Sequence, residues 1–379
     1  MIAFNVPPFV ESAKEYIEDA YLNNHKICGD GPYTKKASQW FEDRLPTKKA
    51  LLTTSCSHAL DMMGILADIG PGDEVILPSY NFVSSANAVA MRGGVCVFVD
   101  VRPDTMNIDE NKIEAAITPK TKAIMVVHYA GISCEMDAIC GVAKKYGLLV
   151  LEDAAQGMMA AYKGRPLGTI GEMGTYSFHE TKNYSMGEGG LLLLNDPAYI
   201  ERAEMLREKG TDRSKFWRGQ VDKYTWQMVG SSYLPSELNA AYLYAQLEAA
   251  EEINRDRLKS FALYQSLLAP LAEEGIIKLP HVPEGCVHNG HMFYIKCKDL
   301  HTRQDFITHM KDKGILCVFH YVPLHSSPAG MKFGRFSGPD EYTTRESERL
   351  VRLPMYWGLK EEEIRTIADQ AIAFFHARV

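Results

Sequence analysis

The sequence predicts an α/β protein with a large, mostly parallel sheet domain and a small C-terminal α+β domain. Between residues 49 and 178, short apolar runs alternate with amphipathic stretches, which is typical of repeated strand–helix–strand units. The chain has 379 residues, more than one hydrophobic core usually organises. We therefore expect two domains, which cover residues 1–250 and 251–379.

The elements of the large domain follow from these apolar runs. The predicted strands are ALLTT, EVILPS, VCVFVD, KAIMVVH, LLVLEDA and GTYSFH, and helical patterns cover residues 58–68, 84–92 and 137–145. A long helical region then runs from residue 236 to about 268 and leads to the Pro- and Gly-containing stretch PHVPEGCVHNGH. Beyond it we expect strand HMFYIKC, a helix over 302–313, strand ILCVF and a helix over 360–378.

Composition and charge exclude several classes of protein. The hydrophobic fraction of 46% and the charged fraction of 23% are those of an ordinary globular protein. A formal net charge of −7 offers no broad basic field for nucleic acid. We find no secretory signal and no apolar run long enough to span a membrane, so we expect a cytoplasmic protein. The eight cysteines lack the paired spacing of a zinc site, so we expect no metal.

Two segments at strand ends carry the main candidates for chemistry. LVLEDAAQG places Asp153 at the end of an apolar strand, and GTYSFHETKNYSMGEGG places Ser177 and Lys182 after another. Taken singly, the aspartate suits a helix cap or a metal ligand, and a lysine is usually solvated. Together they supply what pyridoxal phosphate needs, namely an amine for a Schiff base and a carboxylate that keeps the pyridine nitrogen protonated. Lys182 is also the expected base for proton transfer.

The phosphate of such a cofactor requires backbone amides and hydroxyl groups. TTSCSHAL follows the first strand and opens a helix, so the amides of Cys56 and Ser57 and the hydroxyl of Ser57 are candidates. A serine that only caps this helix is the alternative. Ser177 is a second candidate hydroxyl.

Further candidates stand at other strand ends. In LPSYNFVSS, Phe82 could stack on the pyridine ring, although such aromatics more often belong to a core. His128 and Gln156 could also line the cofactor, and the role of His179 stays open.

These segments, SFHETKN with GEGG, LEDAAQ, PSYNF and TSCSHAL, resemble the sugar aminotransferases of the DegT/DnrJ/EryC1/StrS family along nearly the whole chain. The resemblance implies the aspartate-aminotransferase-like fold, called PLP-dependent transferase fold type I. It also implies a homodimer whose active sites are built from both subunits. The motifs match the Schiff-base lysine at Lys182, the pyridine carboxylate at Asp153, the adjacent glutamine at Gln156, the stacking aromatic at Phe82 and a phosphate-binding hydroxyl at Ser177.

One position departs from the family pattern. Many members have an asparagine that reaches the phosphate from the partner subunit, and this chain has Ser232 there, in GSSYLPSELN. A serine can still donate a hydrogen bond, so Ser232 remains a candidate for cofactor binding.

Several loop segments resemble the members that aminate a dTDP-linked keto-sugar for bacterial surface polysaccharide. They are ICGDGPYTKK, HYAGISCEMD, RGQVDKYTW, GSSYL, FHYVPLHSSPAG and YTTRESERLVRLP. This resemblance implies L-glutamate as amino donor and dTDP-4-dehydro-6-deoxy-D-glucose as acceptor, with the C4 ketone becoming an axial amine. The candidates for holding the sugar are His320, Tyr321, His325, Arg218 and Lys223, each of which could instead be structural or solvated.

Other functions fit the sequence to different degrees. The same chemistry on another nucleotide keto-sugar, with an equatorial amine at C4 or an amine at C3, stays open. The related pyridoxamine-dependent sugar dehydratases lack the Schiff-base lysine, and a non-catalytic descendant would have lost cofactor residues. A nicotinamide dehydrogenase would need G-x-G-x-x-G between the first strand and helix, where this chain has a serine-containing segment instead.

Overall fold

A central sheet of eight strands dominates residues 1–378, the part of the chain that the computed structural model describes. The order in this sheet is β1-β9-β8-β5-β4-β2-β3-β13, and within this range only β9 runs antiparallel to its neighbours. The strands of this sheet and of two smaller sheets are β1 (Lys49–Thr53), β2 (Glu74–Pro78), β3 (Val95–Val99), β4 (Thr121–Val127), β5 (Leu149–Asp153), β6 (Ala161–Tyr162), β7 (Arg165–Pro166), β8 (Met173–Ser177), β9 (Gly190–Leu194), β10 (Cys286–Val287), β11 (Phe293–Lys296), β12 (Val318–Phe319), β13 (Gly334–Phe336) and β14 (Leu350–Leu353).

Helices cover both faces of the central sheet. Successive strand residues point to opposite faces, so Leu51 packs with α3, α4 and α7 whereas Leu52 packs with α1, α2, α6 and α9. No helix of residues 1–378 combines the length and the apolar character needed to cross a membrane. The helices are α1 (Ser12–Leu22), α2 (Pro32–Arg44), α3 (Cys56–Leu66), α4 (Val83–Ala90), α5 (Glu110–Ala116), α6 (Met136–Tyr146), α7 (Ile200–Arg207), α8 (Arg213–Trp217), α9 (Glu237–Glu248), α10 (Ala250–Glu273), α11 (Leu300–Asp312), α12 (Pro328–Phe333), α13 (Thr343–Arg349) and α14 (Glu361–His376).

A second apolar core lies in the C-terminal part of the chain. It joins α10, α11 and α14 to the antiparallel sheet β11-β14-β12, with Tyr264, Phe293 and Phe306 fully buried. The first turn of α10 still packs on the large core through Ala250 and Ile253. The domain boundary at residues 250 and 251 remains a prediction.

The predicted strands of the large domain are all present, and the elements that differ from the prediction include β13 and β14, which form where only a loop was expected. The helical region from residue 236 is two helices, because the chain leaves helical geometry at Ala249. The run ILCVF forms only the short β12, which pairs with β14 over two residues. Strand β9, between β1 and β8, was not predicted.

Candidate functional site

The carboxyl ends of β1, β2, β4, β5 and β8 converge on a pocket of about 540 Å³. Ligands of open α/β sheets bind at this end of the strands, and this volume is usual for a small-molecule site. The C-terminal part of the chain closes one side of the pocket. The predicted site residues that line it are Cys56, Ser57, Phe82, Asp153, Gln156, Ser177, Lys182, His320 and Tyr321.

Asp153 is the buried carboxylate of the pocket, with 5% of its surface exposed. Its Oδ1 accepts a hydrogen bond from the amide of Ala155 at 3.1 Å, and its Oδ2 accepts one from the Ser85 hydroxyl. No metal cluster accompanies it among residues 1–378. These two hydrogen bonds fix the orientation of the side chain. Asp153 can therefore present a carboxyl group in a fixed position to a ligand.

Lys182 follows β8 in a tight turn, in which its amide donates to the carbonyl of His179 at 2.9 Å. No carboxylate of the described chain lies within ion-pair distance of its Nζ, so its side chain is free to react. Burial lowers the pKa of the Lys182 amine, and the nearby positive charge of Arg352 acts in the same direction. A lowered pKa increases the neutral, nucleophilic fraction of a lysine.

The N-terminus of α3 forms a cup of free backbone amides. Ser55 is the N-cap, and its Oγ accepts from the His58 amide at 3.1 Å, which leaves the preceding amides of Cys56 and Ser57 without a partner within the helix. The alternative from the sequence was a serine that only caps this helix; the capping serine is Ser55, whereas the Ser57 hydroxyl lies 2.7 Å from the Ser84 hydroxyl. Such an amide cup favours an anion.

Two neighbours keep this cup compact and uncharged. A Cβ at Gly190 would stand 2.4 Å from the Cys56 nitrogen, so only glycine permits the close approach of β9 to α3. Burial raises the pKa of the Cys56 thiol to about 12, so this side chain adds no negative charge. The hydroxyl of Ser177 completes the polar lining on the β8 side.

An aromatic wall faces these polar groups. Phe82 keeps 56% of its surface exposed and lies 6.2 Å from the ring of Tyr321, between ring centroids. The ring of Tyr80 packs against that of Tyr321, and the ring of Tyr129 packs against those of Tyr321 and His320. The Tyr129 hydroxyl lies 3.1 Å from Nδ1 of His320. An exposed phenylalanine that lines a pocket is available to stack on a flat ligand.

Gln156 and His128 are held by their neighbours. The Gln156 Oε1 accepts from the amide of Ala130 at 2.6 Å, and its Nε2 faces the Tyr321 hydroxyl at 3.4 Å. His128 accepts from the amide of Cys134 through Nδ1 and contacts Glu152 at 2.9 Å through Nε2. His128 is fully buried, so packing accounts for it without a ligand.

Four predicted residues lie outside the pocket in this single chain. His325 lies between Ser79, at 2.6 Å, and Asp340, at 3.3 Å, which explains it as a structural residue. Arg218 forms an ion pair with Glu204 at 2.8 Å. Lys223 and Ser232 lie on the segment between α7 and α9. Both are exposed and lie away from the pocket.

The structure adds pocket residues that the sequence reasoning did not single out. Arg352 reaches the pocket from β14, and Phe4 reaches it from the N-terminal segment. His291 is buried, with its Nδ1 2.8 Å from the Asn183 side-chain oxygen. Burial lowers its pKa well below the usual range, so it is a neutral imidazole. These residues come from distant parts of the chain, and the only sequence signal was that Arg352 stands in YTTRESERLVRLP.

The arrangement fits pyridoxal phosphate. It offers an unpaired amine, a buried carboxylate, an anion cup at a helix N-terminus and an exposed aromatic face around one cavity. Each of these features is of the kind that a different part of that cofactor requires.

Comparison with known proteins points in the same direction. The sequence profile of the DegT/DnrJ/EryC1/StrS aminotransferase family matches residues 10–371. The chain is 31% identical to the spore coat polysaccharide biosynthesis protein SpsC of Bacillus subtilis, over 95% of this chain and 92% of SpsC. It is 32% identical to GDP-perosamine synthase of Caulobacter vibrioides, over 98% of each chain. The crystal structure of the aminotransferase TlmJ from Streptoalloteichus hindustanus superimposes with a TM-score of 0.89 at 28% identity, covering 100% of this chain and 99% of TlmJ.

Proposed function

The chain belongs to the DegT/DnrJ/EryC1/StrS aminotransferase family of pyridoxal-phosphate-dependent, fold type I enzymes, and on this premise we propose its substrates. L-glutamate is the amino donor and dTDP-4-dehydro-6-deoxy-D-glucose the acceptor. The products are 2-oxoglutarate and dTDP-4-amino-4,6-dideoxy-D-galactose. One observation carries this proposal. Two segments that resemble those of members that aminate a dTDP-linked keto-sugar, FHYVPLH and YTTRESERLVRLP, both contribute side chains to the Lys182 pocket.

The pocket geometry supports a role for each of these residues toward the cofactor. Lys182 would hold the cofactor covalently, and Asp153 would keep the pyridine nitrogen protonated. Phe82 would stack on the ring, with Gln156 beside it. The hydroxyls of Ser57 and Ser177, with the free amides of Cys56 and Ser57, would hold the phosphate. The bound cofactor supplies an electron sink for the carbon that loses its proton.

Residues of this chain carry out proton transfer and orient the sugar. The amine of Lys182 has a lowered pKa, so it can take a proton from the donor carbon and return one to the sugar carbon. His320 is half-buried, and the loss of water around its ring lowers its pKa well below the usual range, so it orients the sugar as a neutral imidazole. Tyr321 closes the pocket with a protonated hydroxyl, because burial raises its pKa.

A homodimer with shared active sites accounts for three of the predicted residues that lie outside the pocket, namely Ser232, Arg218 and Lys223. Ser232 and Arg218 line a surface groove of about 970 Å³ with Arg207 and Asp30. We place Ser232 against the cofactor phosphate of the partner subunit, and Arg218 and Lys223 near the acceptor bound there. The neighbouring Trp226 has 75% of its surface exposed, as expected of an interface residue.

A second candidate is the same reaction on another nucleotide keto-sugar, with an equatorial amine at C4 or an amine at C3. The relative named GDP-perosamine synthase favours a GDP-linked acceptor, since it matches 98% of this chain. The relative named for spore coat polysaccharide biosynthesis fits either acceptor, because both products suit a surface polysaccharide.

The test is NMR of the product formed from L-glutamate and dTDP-4-dehydro-6-deoxy-D-glucose. A small coupling between ring protons H3 and H4 means an axial amine and supports the proposal. A large coupling means an equatorial amine and a gluco-configured product. Absence of any amino sugar, with turnover of a GDP-linked keto-sugar, would favour the second candidate.

A further inference from the structure

His291 is a buried histidine of the pocket whose two ring nitrogens have different surroundings. It keeps 4% of its surface exposed, and its Nδ1 lies 2.8 Å from Oδ1 of Asn183, the residue that follows Lys182. Its Nε2 has no hydrogen-bond partner among residues 1–378. His291 lines the same cavity as Lys182. The fold thus uses one ring nitrogen and leaves the other available.

A set of buried side chains fixes which nitrogen of His291 carries the proton. Asn289 donates through Nδ2 to two carbonyls, those of Gln156 and Met158, at 2.7 and 2.8 Å. Its Oδ1 accepts from the His291 amide at 3.0 Å. Asn183 donates through Nδ2 to the Asn289 carbonyl at 3.0 Å, so its Oδ1 faces Nδ1 of His291. That oxygen can only accept, so Nδ1 must donate and Nε2 of the neutral ring is a lone pair.

The available lone pair faces donors that lie in the cavity. Burial lowers the pKa of His291 well below the usual range, and the positive charge of Lys182 acts in the same direction more strongly than that of Arg352. A ring that stays neutral does not take up a proton, but its lone pair can still accept a hydrogen bond. The guanidinium of Arg352 stands over the ring of Phe4 at 4.7 Å. Lys182 is adjacent to Asn183 in the chain, so its amine is the donor that this network places beside His291.

We propose that Nε2 of His291 accepts a hydrogen bond from Nζ of Lys182 once this amine has left the cofactor, which makes His291 a positioning residue for proton transfer. A lysine amine rotates freely at the end of a four-carbon stem. One N–H held by His291 would point the lone pair of Nζ in a fixed direction. This inference rests on the proposed function, in which Lys182 carries the proton.

The hydrogen bond also favours the transfer itself. When Nζ takes the proton from the donor carbon, the electron pair of the broken C–H bond stays with that carbon and the electron sink. Nζ becomes an ammonium group, so its hydrogen bond to His291 becomes charge-assisted and stronger. An interaction that strengthens as the proton moves raises the rate rather than the affinity for substrate. His291 keeps its own proton throughout.

Two substitutions separate this role from a structural one, because asparagine and glutamine each imitate one ring nitrogen. His291→Asn puts an amide near the position of Nδ1, which keeps the contact with Asn183, and leaves nothing at the position of Nε2. His291→Gln puts an oxygen near the position of Nε2 and loses the contact with Asn183. In single turnovers at saturating substrate, His291→Asn should slow both half-reactions by about 10- to 100-fold, the usual effect of losing a charge-assisted hydrogen bond. His291→Gln should slow them by less than about fivefold.

Further readouts identify the step that is slowed. The half-saturating concentrations of glutamate and of the keto-sugar should change less than about threefold in His291→Asn, because His291 does not bind substrate. The ratio of the rates with L-glutamate and α-deuterated L-glutamate should be larger than in the wild type, because removal of this hydrogen is the slowed step. His288→Asn is the matched control. His288 lies outside the pocket and accepts through Nδ1 from the Gly290 amide at 3.2 Å, a contact that asparagine keeps, so its rates should equal those of the wild type.

NMR of the apoprotein tests the hydrogen bond without turnover. With isotope-labelled histidine, His291 should carry its proton on Nδ1 only, and Lys182→Ala should shift the Nε2 signal of His291 but not the signals of His288. This measurement decides the case if His291→Asn does not fold. A proton on Nε2, a larger loss in His291→Gln than in His291→Asn, equal rates in both, or a loss in the acceptor half-reaction alone would overturn the inference.

Failure of the proposed function gives a different result. An active Lys182→Ala would overturn the role of Lys182, and this inference with it. If the wild type does not react with glutamate, the proposed donor is wrong, and the same single turnovers are run with L-aspartate or L-glutamine. The NMR result is the same for any donor, because it needs no substrate.

Discussion

At the scale of single residues, the site depends on two charges in different surroundings. Asp153 is held in place by hydrogen bonds from Ala155 and Ser85. Lys182 has no such partner, and burial, with Arg352 acting in the same direction, lowers the pKa of its amine. The fold thus fixes the carboxylate in position and makes the amine more reactive, which is what a pyridoxal phosphate enzyme requires.

We predict that Asp153→Asn binds the cofactor but transaminates on the order of 10²–10³-fold more slowly, because the pyridine nitrogen loses its fixed counter-charge. Single-turnover absorbance with L-glutamate measures this. Ser85→Ala removes one hydrogen bond to the same carboxylate, so it should cost less than about tenfold. Asp153→Asn activity above about one-tenth of wild type would contradict this role for Asp153.

The lowered pKa of Lys182 predicts how cofactor capture depends on pH. Only the neutral amine attacks the aldehyde, so capture by the apoprotein should rise with pH and level off below the usual lysine value of 10.5. Arg352→Gln removes a positive charge near the amine, so its midpoint should lie at higher pH than that of the wild type. The visible absorbance after mixing with pyridoxal phosphate gives the rate, and Nα-acetyl-lysine corrects for titration of the cofactor. A wild-type midpoint at or above 10.5 would show that burial does not act on Lys182 as described.

The residues at strand ends could be predicted because the carboxyl ends of parallel strands meet at one edge of the sheet. Asp153, Ser177 and Phe82 were found in this way. Arg352 and His291 could not, because their positions depend on how the C-terminal sheet packs against the large domain. No local pattern distinguishes a half-buried, unpaired arginine from an exposed one.

At the scale of elements, α2 depends on a side chain from another helix for its start. Its N-cap is Gly31, which has no side chain to accept the first amides. The buried carboxylate of Glu237, on α9, accepts instead from the amides of Gly31, Tyr33 and Thr34, at 3.0, 2.8 and 3.0 Å. This contact fixes α2 to α9 on one face of the sheet.

We predict that Glu237→Ala lowers the free energy of unfolding by about 3–5 kcal/mol, because several buried amides lose their acceptor together. Urea denaturation at one fixed protein concentration measures it. Glu237→Gln keeps one oxygen and should lose less. Glu252→Ala, on the exposed side of α10, is the control and should stay within about 0.5 kcal/mol of wild type. A loss below 1 kcal/mol for Glu237→Ala would mean that water replaces the carboxylate.

Elements with strong periodicity were predictable and the others were not. The alternating units between residues 49 and 178 gave every strand of that region that belongs to the central sheet. The run that forms β9 is short and uniformly apolar, so periodicity cannot distinguish a strand from a buried helix there. The break between α9 and α10 falls at Ala249, where no glycine or proline marks it.

At the scale of the whole molecule, the pocket lies where three parts of the chain meet. The large sheet provides Lys182, the C-terminal part provides Arg352, and the N-terminal segment provides Phe4. That segment is tied to the C-terminal part at Ile2, which bridges to Ile315. A site assembled in this way can include a further part from a second subunit, as the position of Ser232 suggests.

We predict that two inactive variants restore activity when their subunits mix. Lys182→Ala lacks the reactive amine, and Ser232→Tyr places a bulky group where the exposed serine is proposed to meet the phosphate of the partner subunit. In a hybrid dimer both defects fall in one site and the other site is intact, so random mixing should give roughly a quarter of wild-type activity.

The control for this mixing is Lys182→Ala with Asp153→Asn. Both residues line the pocket of their own chain, so each hybrid site keeps one defect and activity should not recover. Recovery in both mixtures would place Asp153 and Lys182 in different sites, against the geometry of the pocket. Recovery in neither, with hybrid dimers shown by tagged subunits, would mean that Ser232 acts on its own chain, and the shared active site would have to be abandoned.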